Sequence, residues 1–394
     1  MRIVELTAYA VQIPLRRVIK HASASRHEGE NIFVRCLLAD GTEGWGEGVP
    51  RSYVTGETLD GALAKFAAIA WPERLQVDVY NWRDVIRLCE SAAPPSDAGD
   101  LRGCSSHALR CAVELSILDA YGRLFGEPVS NVAAAFPIAN DIRSAHEEAR
   151  YSAVITAEGA RGERRSAIKY RCYGFHQCKV KVGIAGDDDV ARLRRIRFWL
   201  GRKIDLRIDV NEAWPAESWQ TKLEPLLPFQ PSSVEQPIAH TNLSALNGQR
   251  GRCSVPIMLD ESLTSMTDAE SAVRDATCDL FNLRLSKCGG FLNSLRIAAF
   301  AKQNGLGYQL GCHPGESGVL SAAGRHWACS VADIRYLEGS YDRHLFRELL
   351  TNEDVTFRYG GRAQALKLAG LGVTIHRPTF QKFVLREVTA AVNG

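Results

Sequence analysis

An excess of charge of either sign is nearly absent from this chain. Its 394 residues carry 48 Lys and Arg against 45 Asp and Glu, a formal net charge of +3, too mild to call for a nucleic-acid or membrane-surface partner. No run approaches the roughly 18 apolar residues of a membrane span. The opening MRIVELTAYAVQIPL alternates like a strand and lacks the apolar core and cleavage site of a signal peptide. The eleven cysteines form no CxxC pair and keep no regular spacing. They read as reduced thiols of a cytoplasmic protein rather than a disulfide frame, and no zinc-ligand spacing accompanies them. Low-complexity segments, Pro/Gly/Ser-rich linkers and a glycine-rich phosphate cradle near the end of the chain are also missing. What remains is an ordinary globular composition, 45% hydrophobic and 24% charged, enough for a large core and a second domain.

The first 60 residues look like a meander of strands, with period-two apolar runs at Ile3–Val11 and Asn31–Leu38 and an Asp40-Gly41 turn after the second. From Leu59 to Glu127 the period turns helical. In SHALRCAVELSILDAYGRLFG the apolar positions suit a helix buried over most of its surface, closed by Gly126 and Pro128. After a polar stretch near 137–150, eight candidate strands alternate with helical segments: Tyr151–Thr156, His176–Gly183, Asp205–Asn211, Ser232–Pro237, Pro256–Ser262, Asp279–Leu285, Gly307–Cys312 and Ile334–Ser340. Eight such units predict an α/β chain with a closed (β/α)8 barrel. The division expected is an N-terminal α+β domain at 1–135, a barrel at 145–355 and a segment at 356–394 that returns to the first domain.

Three carboxylates punctuate the repeat. Asp209, Glu235 and Asp260 each sit near the carboxyl end of an apolar run, spaced 26 and 25 residues apart, and Arg284 follows 24 residues later in the next run. One such residue alone is an ordinary helix cap. Three at one level of consecutive barrel strands converge at the mouth and repel one another unless a hard divalent cation lies between them. Lys179 and Lys181, two apart on the second barrel strand, share a face and enter the lumen. Mutual repulsion and burial are expected to depress their pKa values and make one of them a general base. Asn211 shares a face with Asp209, whereas Glu261 has the opposite parity to Asp260. Lys287, out of phase with Arg284, is expected to face the helices.

The ordered set KVK, DVN, VEQP and LDES on successive strands resembles the enolase superfamily, nearest to its muconate lactonising enzyme-like branch. VPRSYVTGET at 49–58 resembles the second specificity loop of that family's capping domain, and the polar His21–Asn31 segment its first. ALRCAVELSILDAYGRLFG resembles the last cap helix, and SKCGG at 286–290 the turn after the sixth barrel strand. The resemblance implies Mg²⁺, with Mn²⁺ as a possible substitute, held by Asp209, Glu235 and Asp260. It makes Lys181 the acid/base and Lys179 the group that lowers its pKa. Arg26, Arg51 and Tyr53 in the loops, with Asn211 and Glu316, would contact a small carboxylate substrate. The resemblance also implies a homo-oligomer.

One position departs from the family. Where that branch usually has a second lysine base, this chain has Arg284, which stays protonated at ordinary pH and can only clamp or stabilise an anion. The reading is therefore proton abstraction α to a carboxylate with one-face chemistry, either dehydration or cycloisomerisation. The alternatives are a racemase or epimerase using His313 as second base, and a catalytically silent ligand-binding relative.

Overall fold

The computed structural model describes residues 1–20, 25–156 and 159–392, without the side chains of 17–20, 25 and 26. Its N-terminal antiparallel sheet contains β1 (Ile3–Lys20), β2 (Ser25–Leu38) and β3 (Glu43–Gly48). Both long strands run further than their apolar runs suggest. Pairing of Ile19 with Arg26 and of Lys20 with Ser25 carries the β1–β2 ladder into the His21–Asn31 segment, of which residues 21–24 lie outside the described ones.

Alternating glycines explain how this sheet meets its helix. Gly44, Gly46 and Gly48 present one face of β3 to the helix His107–Phe125. A Cβ on Gly46 would lie 1.9 Å from the Ala112 carbonyl oxygen, and one on Gly48 would lie 1.9 Å from that of Ala108. The strand therefore packs directly on helix backbone, which is why no larger residue fits at these positions. Leu109, Ala112, Val113, Leu115, Ile117 and Leu118 are almost fully buried. Gly126 ends the helix in the left-handed conformation with φ 69°, the C-cap geometry that glycine adopts without a Cβ penalty.

The remaining strands build the barrel and its edges. Short β4 (Glu148–Arg150) leads into β5 (Ala153–Ile155), β6 (Gln177–Lys181), β7 (Asp205–Asp209), β8 (Val234–Glu235), β9 (Ile257–Leu259), β10 (Leu280–Leu283), β11 (Gly307–Leu310) and β12 (Ile334–Leu337). β5 to β12 pair in sequence order as one parallel curled sheet. The gap between β12 and β5 is bridged by the Ser152 N–H donating to the Leu337 carbonyl at 2.7 Å. β13 (Arg362–Gln364) pairs with β4, and β14 (Val384–Ala391) pairs antiparallel with β1. The C-terminal segment thus adds a strand to the N-terminal sheet. No helix among the described residues is long and apolar enough to cross a membrane.

Candidate active site

The strand ladder sets the height of each functional side chain. Lys181 is the Cα partner of Asp209, and Asp209 that of Glu235. One ammonium and two carboxylates therefore stand level at the carboxyl ends of β6, β7 and β8. Asp260 lies just beyond β9, two residues past Met258, the partner of Glu235. The three acids are at most 1% exposed.

A web of charge surrounds them. Lys179 Nζ lies 3.2 Å from Asp209, 3.4 Å from Glu235 and 2.9 Å from Glu338. Burial pushes the Lys179 pKa down, but Glu235, Glu338 and Asp209 together outweigh it and raise the pKa well above the ordinary lysine value. The expected depression is overturned here: three acids make Lys179 a fixed cation. Lys181 Nζ donates to Asn211 Oδ1 at 2.6 Å and lies 4.0 Å from Asp209. Asn211, with φ 47°, is itself clipped to Asp209 by its backbone N–H at 3.1 Å. The structure thus makes Asn211 the orienting partner of Lys181.

Asp260 is held from two sides. The Arg284 guanidinium donates to one carboxylate oxygen, and Lys287 Nζ lies 2.8 Å from the other. Burial opposes ionisation, yet Arg284 and Lys287 hold the Asp260 carboxyl well below the usual carboxylate range. Lys287 also donates to the carbonyls of Asp260 at 2.7 Å and Asn282 at 2.8 Å. This corrects the expectation that Lys287 faces the helices. Strand parity ends with β10 at Leu283, after which the chain curls, with Cys288 N–H bonded to the Arg284 carbonyl and Gly290 N–H to that of Leu285.

The spacing brings the three carboxylates to one rim. Among the described residues, however, no three acidic, histidine or cysteine groups close into a ready-made cation cage. Side-chain cations neutralise them in pairs instead. The donor set still fits a hard divalent ion, being all carboxylate oxygen. The buried Asp209 Oδ2 is met by the Lys179 ammonium at 3.2 Å but by no donor in hydrogen-bond geometry. Burial and the neighbouring Asp209 raise the Glu235 pKa against the pull of Lys179, which marks a crowd of acids that a cation would relieve.

The loop after β11 carries His313 and Glu316. His313 is 2% exposed, and neither ring nitrogen has a hydrogen-bond partner. Burial and the charges of Arg284 and Arg51 push its pKa well below the ordinary value, so the ring is held neutral, with both nitrogens free of hydrogen bonds. Glu316 Oε1 accepts the His313 backbone N–H at 2.6 Å. The first domain grips this loop: Asn31 Nδ2 donates to the Gly315 carbonyl at 2.7 Å, and Glu47 accepts from Ser317 N–H at 2.8 Å and Leu320 N–H at 2.9 Å.

Arg51, expected to meet an anionic ligand, is 1% exposed and donates to the carbonyls of Pro50 at 2.7 Å and Pro314 at 2.8 Å. It ties the two domains together. Tyr53 is half-buried on the same turn. The Arg26 side chain lies outside the described residues. Sequence reasoning passed over Glu338, which anchors Lys179 and also pairs with Arg207. An acid directly after the strand IRYL is the same signal that marked the other three.

Residues 163–379, more than half of the chain, match the family described as enolase C-terminal domain-like. The chain is similar to the N-succinyl-L-Arg/Lys racemase of Bacillus cereus, 24% identical over 98% of both chains. The crystal structure of that racemase superposes with a TM-score of 0.86 over 99% of this chain and 100% of its own. A dipeptide epimerase of Cytophaga hutchinsonii, crystallised with Mg and D-Ala-L-Val, is 25% identical with a TM-score of 0.83 over all of both chains. The chloromuconate cycloisomerase of Cupriavidus pinatubonensis is 27% identical over 78% of this chain and 79% of its own. With a barrel whose strand ends carry this acid and lysine set, the chain is an enzyme of the enolase superfamily, on the branch named for mandelate racemase and muconate lactonising enzyme.

Proposed function

We propose that this enzyme racemises or epimerises the carbon α to a carboxylate in an amino acid acylated on nitrogen, either an N-succinyl derivative or a dipeptide. The observation that carries the reading is a pair of candidate bases on different sides of one mouth. Lys181 ends β6, level with Asp209 and Glu235, and neutral His313 follows β11 with both ring nitrogens unpartnered. β6 and β11 lie three strands apart around a barrel of eight, so the two groups approach a substrate from different faces. The similarity to N-succinyl-amino-acid racemases and dipeptide epimerases supports this reading over the one-face chemistry that Arg284 first suggested.

Asp209, Glu235 and Asp260 would hold Mg²⁺, with Asp260 turning from Arg284 and Lys287 to do so. The bound ion would supply the positive charge that stabilises a substrate carboxylate as the enolate forms. Lys181, oriented by Asn211, removes or returns the α-proton on one face, and His313 does so on the other. Lys179, fixed as a cation by Glu338, adds positive charge beneath the site. Arg284, next to Asp260 and unable to act as a base, clamps anionic oxygen.

The test is α-hydrogen exchange in D₂O with Mg²⁺, using a library of N-succinyl-amino acids and dipeptides in each configuration. Deuterium is expected to appear in both configurations of the substrate. Lys181→Ala should abolish exchange on one face, a loss of at least about 10²-fold. Exchange with a single configuration retained would favour the dehydratase or cycloisomerase reading, and no exchange with any member would overturn the racemase reading.

A further inference from the structure

The His313 loop contains more than the base. His313-Pro314-Gly315-Glu316 forms a turn in which the Glu316 N–H donates to the His313 carbonyl at 3.2 Å. Proline in the second place and glycine at φ 100° in the third are what a type II turn requires. The turn brings the Glu316 carboxylate back over its own first residue. Glu316 Oε1 accepts the His313 N–H at 2.6 Å and lies 4.0 Å from the ring's Nδ1.

We propose that Glu316 is the positioning carboxylate of His313, so that base and orienting acid both lie within one four-residue turn. The inference rests on the reading of His313 as the second base. A buried imidazole with neither nitrogen bonded loses the free energy of two hydrogen bonds. A side-chain shift of about 1 Å brings Glu316 within hydrogen-bond reach of Nδ1. Burial raises the Glu316 pKa to about 8; in its ionised form the carboxylate at Nδ1 fixes the proton there and leaves Nε2 as the accepting atom. The α-C–H bond then breaks toward Nε2, the electron pair moves into the substrate's carboxylate, and the Lys181 ammonium returns a proton to the opposite face.

Among the described residues, Glu316 is the carboxylate that comes within 4.0 Å of a His313 ring nitrogen. The charged groups facing the ring are Arg284, Arg51, Asp260 and Lys287, while Glu47, Arg284 and Asp342 face Glu316. Asp260 is committed to Arg284 and Lys287. Glu47 is committed to Asn31, Ser317 and Leu320. The turn itself cannot drift away from the site. Arg51 holds the Pro314 carbonyl and Asn31 that of Gly315, and a Cβ on Gly29 would come within 3.3 Å of the Gly315 oxygen.

The test compares α-exchange from each configuration of the exchanging library substrate in wild type, Glu316→Gln, Glu316→Asp and His313→Asn. The glutamine oxygen can still accept the His313 backbone N–H, so the turn survives while the ionisable carboxyl is lost. Glu316→Gln should lower exchange on the His313 face by about 10- to 100-fold and leave the Lys181 face unchanged, with partial recovery in Glu316→Asp. Without substrate, the ¹⁵N shifts of the His313 ring, assigned by their loss in His313→Asn, should move in Glu316→Gln. Equal losses on both faces, or unchanged exchange together with unchanged ring shifts, would overturn the proposal. His313→Asn separates the two levels of the argument. If it leaves both faces exchanging, the base assignment fails and this proposal with it. If it silences one face while Glu316→Gln silences neither, only the role of Glu316 fails.

Discussion

Arg284 shows most directly how a single residue sets the behaviour of this site. Its guanidinium donates to Asp260 on the side away from Lys287, so it competes with a divalent ion for one carboxylate oxygen and repels that ion as well. Both effects have the same sign. Arg284→Met should therefore bind Mg²⁺ more tightly, by roughly tenfold, while turning over more slowly. Calorimetric titration of the metal checks this, and weaker binding would mean that Arg284 presents Asp260 to the ion rather than withholding it. The acids and both lumen lysines were legible in the sequence because strand period and βα repeat are local rules. The ionisation of Lys179 was not, since it depends on Glu338 arriving from the last barrel strand, 159 residues later in sequence. The placement of Lys287 was missed for a different reason: period-two logic stops where β10 stops, four residues before it.

Among the elements, β3 and the helix His107–Phe125 make the tightest joint. Gly46 has no alternative residue there, because a Cβ would sit 1.9 Å from the Ala112 oxygen and 2.5 Å from the Ser116 nitrogen, both backbone atoms that cannot move aside alone. Gly46→Ala should destabilise the protein by about 3 kcal/mol or more, seen as a lower thermal midpoint, whereas a shift within error would mean that strand and helix separate easily. The helix could be read from sequence by its apolar period and its Gly126 stop. The alternating glycines are equally visible in GTEGWGEG, but their partners Ala108, Ala112 and Ser116 lie far along the chain and only the folded chain identifies them. β1 and β2 were underestimated for a local reason. Pro14, Arg16 and Arg17 interrupt the apolar alternation of β1, yet backbone pairing with β2 resumes at Ile19 beyond them.

At the scale of the whole molecule, two buried histidines join parts that are distant in sequence. His107, on the helix of the first domain, donates from Nδ1 to the Lys287 carbonyl of the barrel at 2.8 Å. His326, on the helix after β11, donates from Nε2 to the Leu371 carbonyl of the C-terminal segment at 3.1 Å. Burial pushes both pKa values down to about 4, against about 6.5 in an unfolded chain. Above pH 6.5 both states are neutral and neither group affects stability. As pH falls from there toward 4, the unfolded chain binds protons that the folded one refuses, so stability is lost on the acid side only. The loss amounts to about 2 kcal/mol per histidine at pH 5. Other groups titrate in the same range, including the acids at the barrel mouth, so the slope of the wild type alone does not isolate the effect. The difference between wild type and His107→Asn does. Asparagine can still donate to the Lys287 carbonyl but has no proton to gain, so the variant should lose about 2 kcal/mol less than wild type between about pH 7.5 and pH 5 in urea unfolding. Parallel pH curves would mean that His107 takes up its proton in place, and that the joint between cap and barrel does not depend on its neutrality.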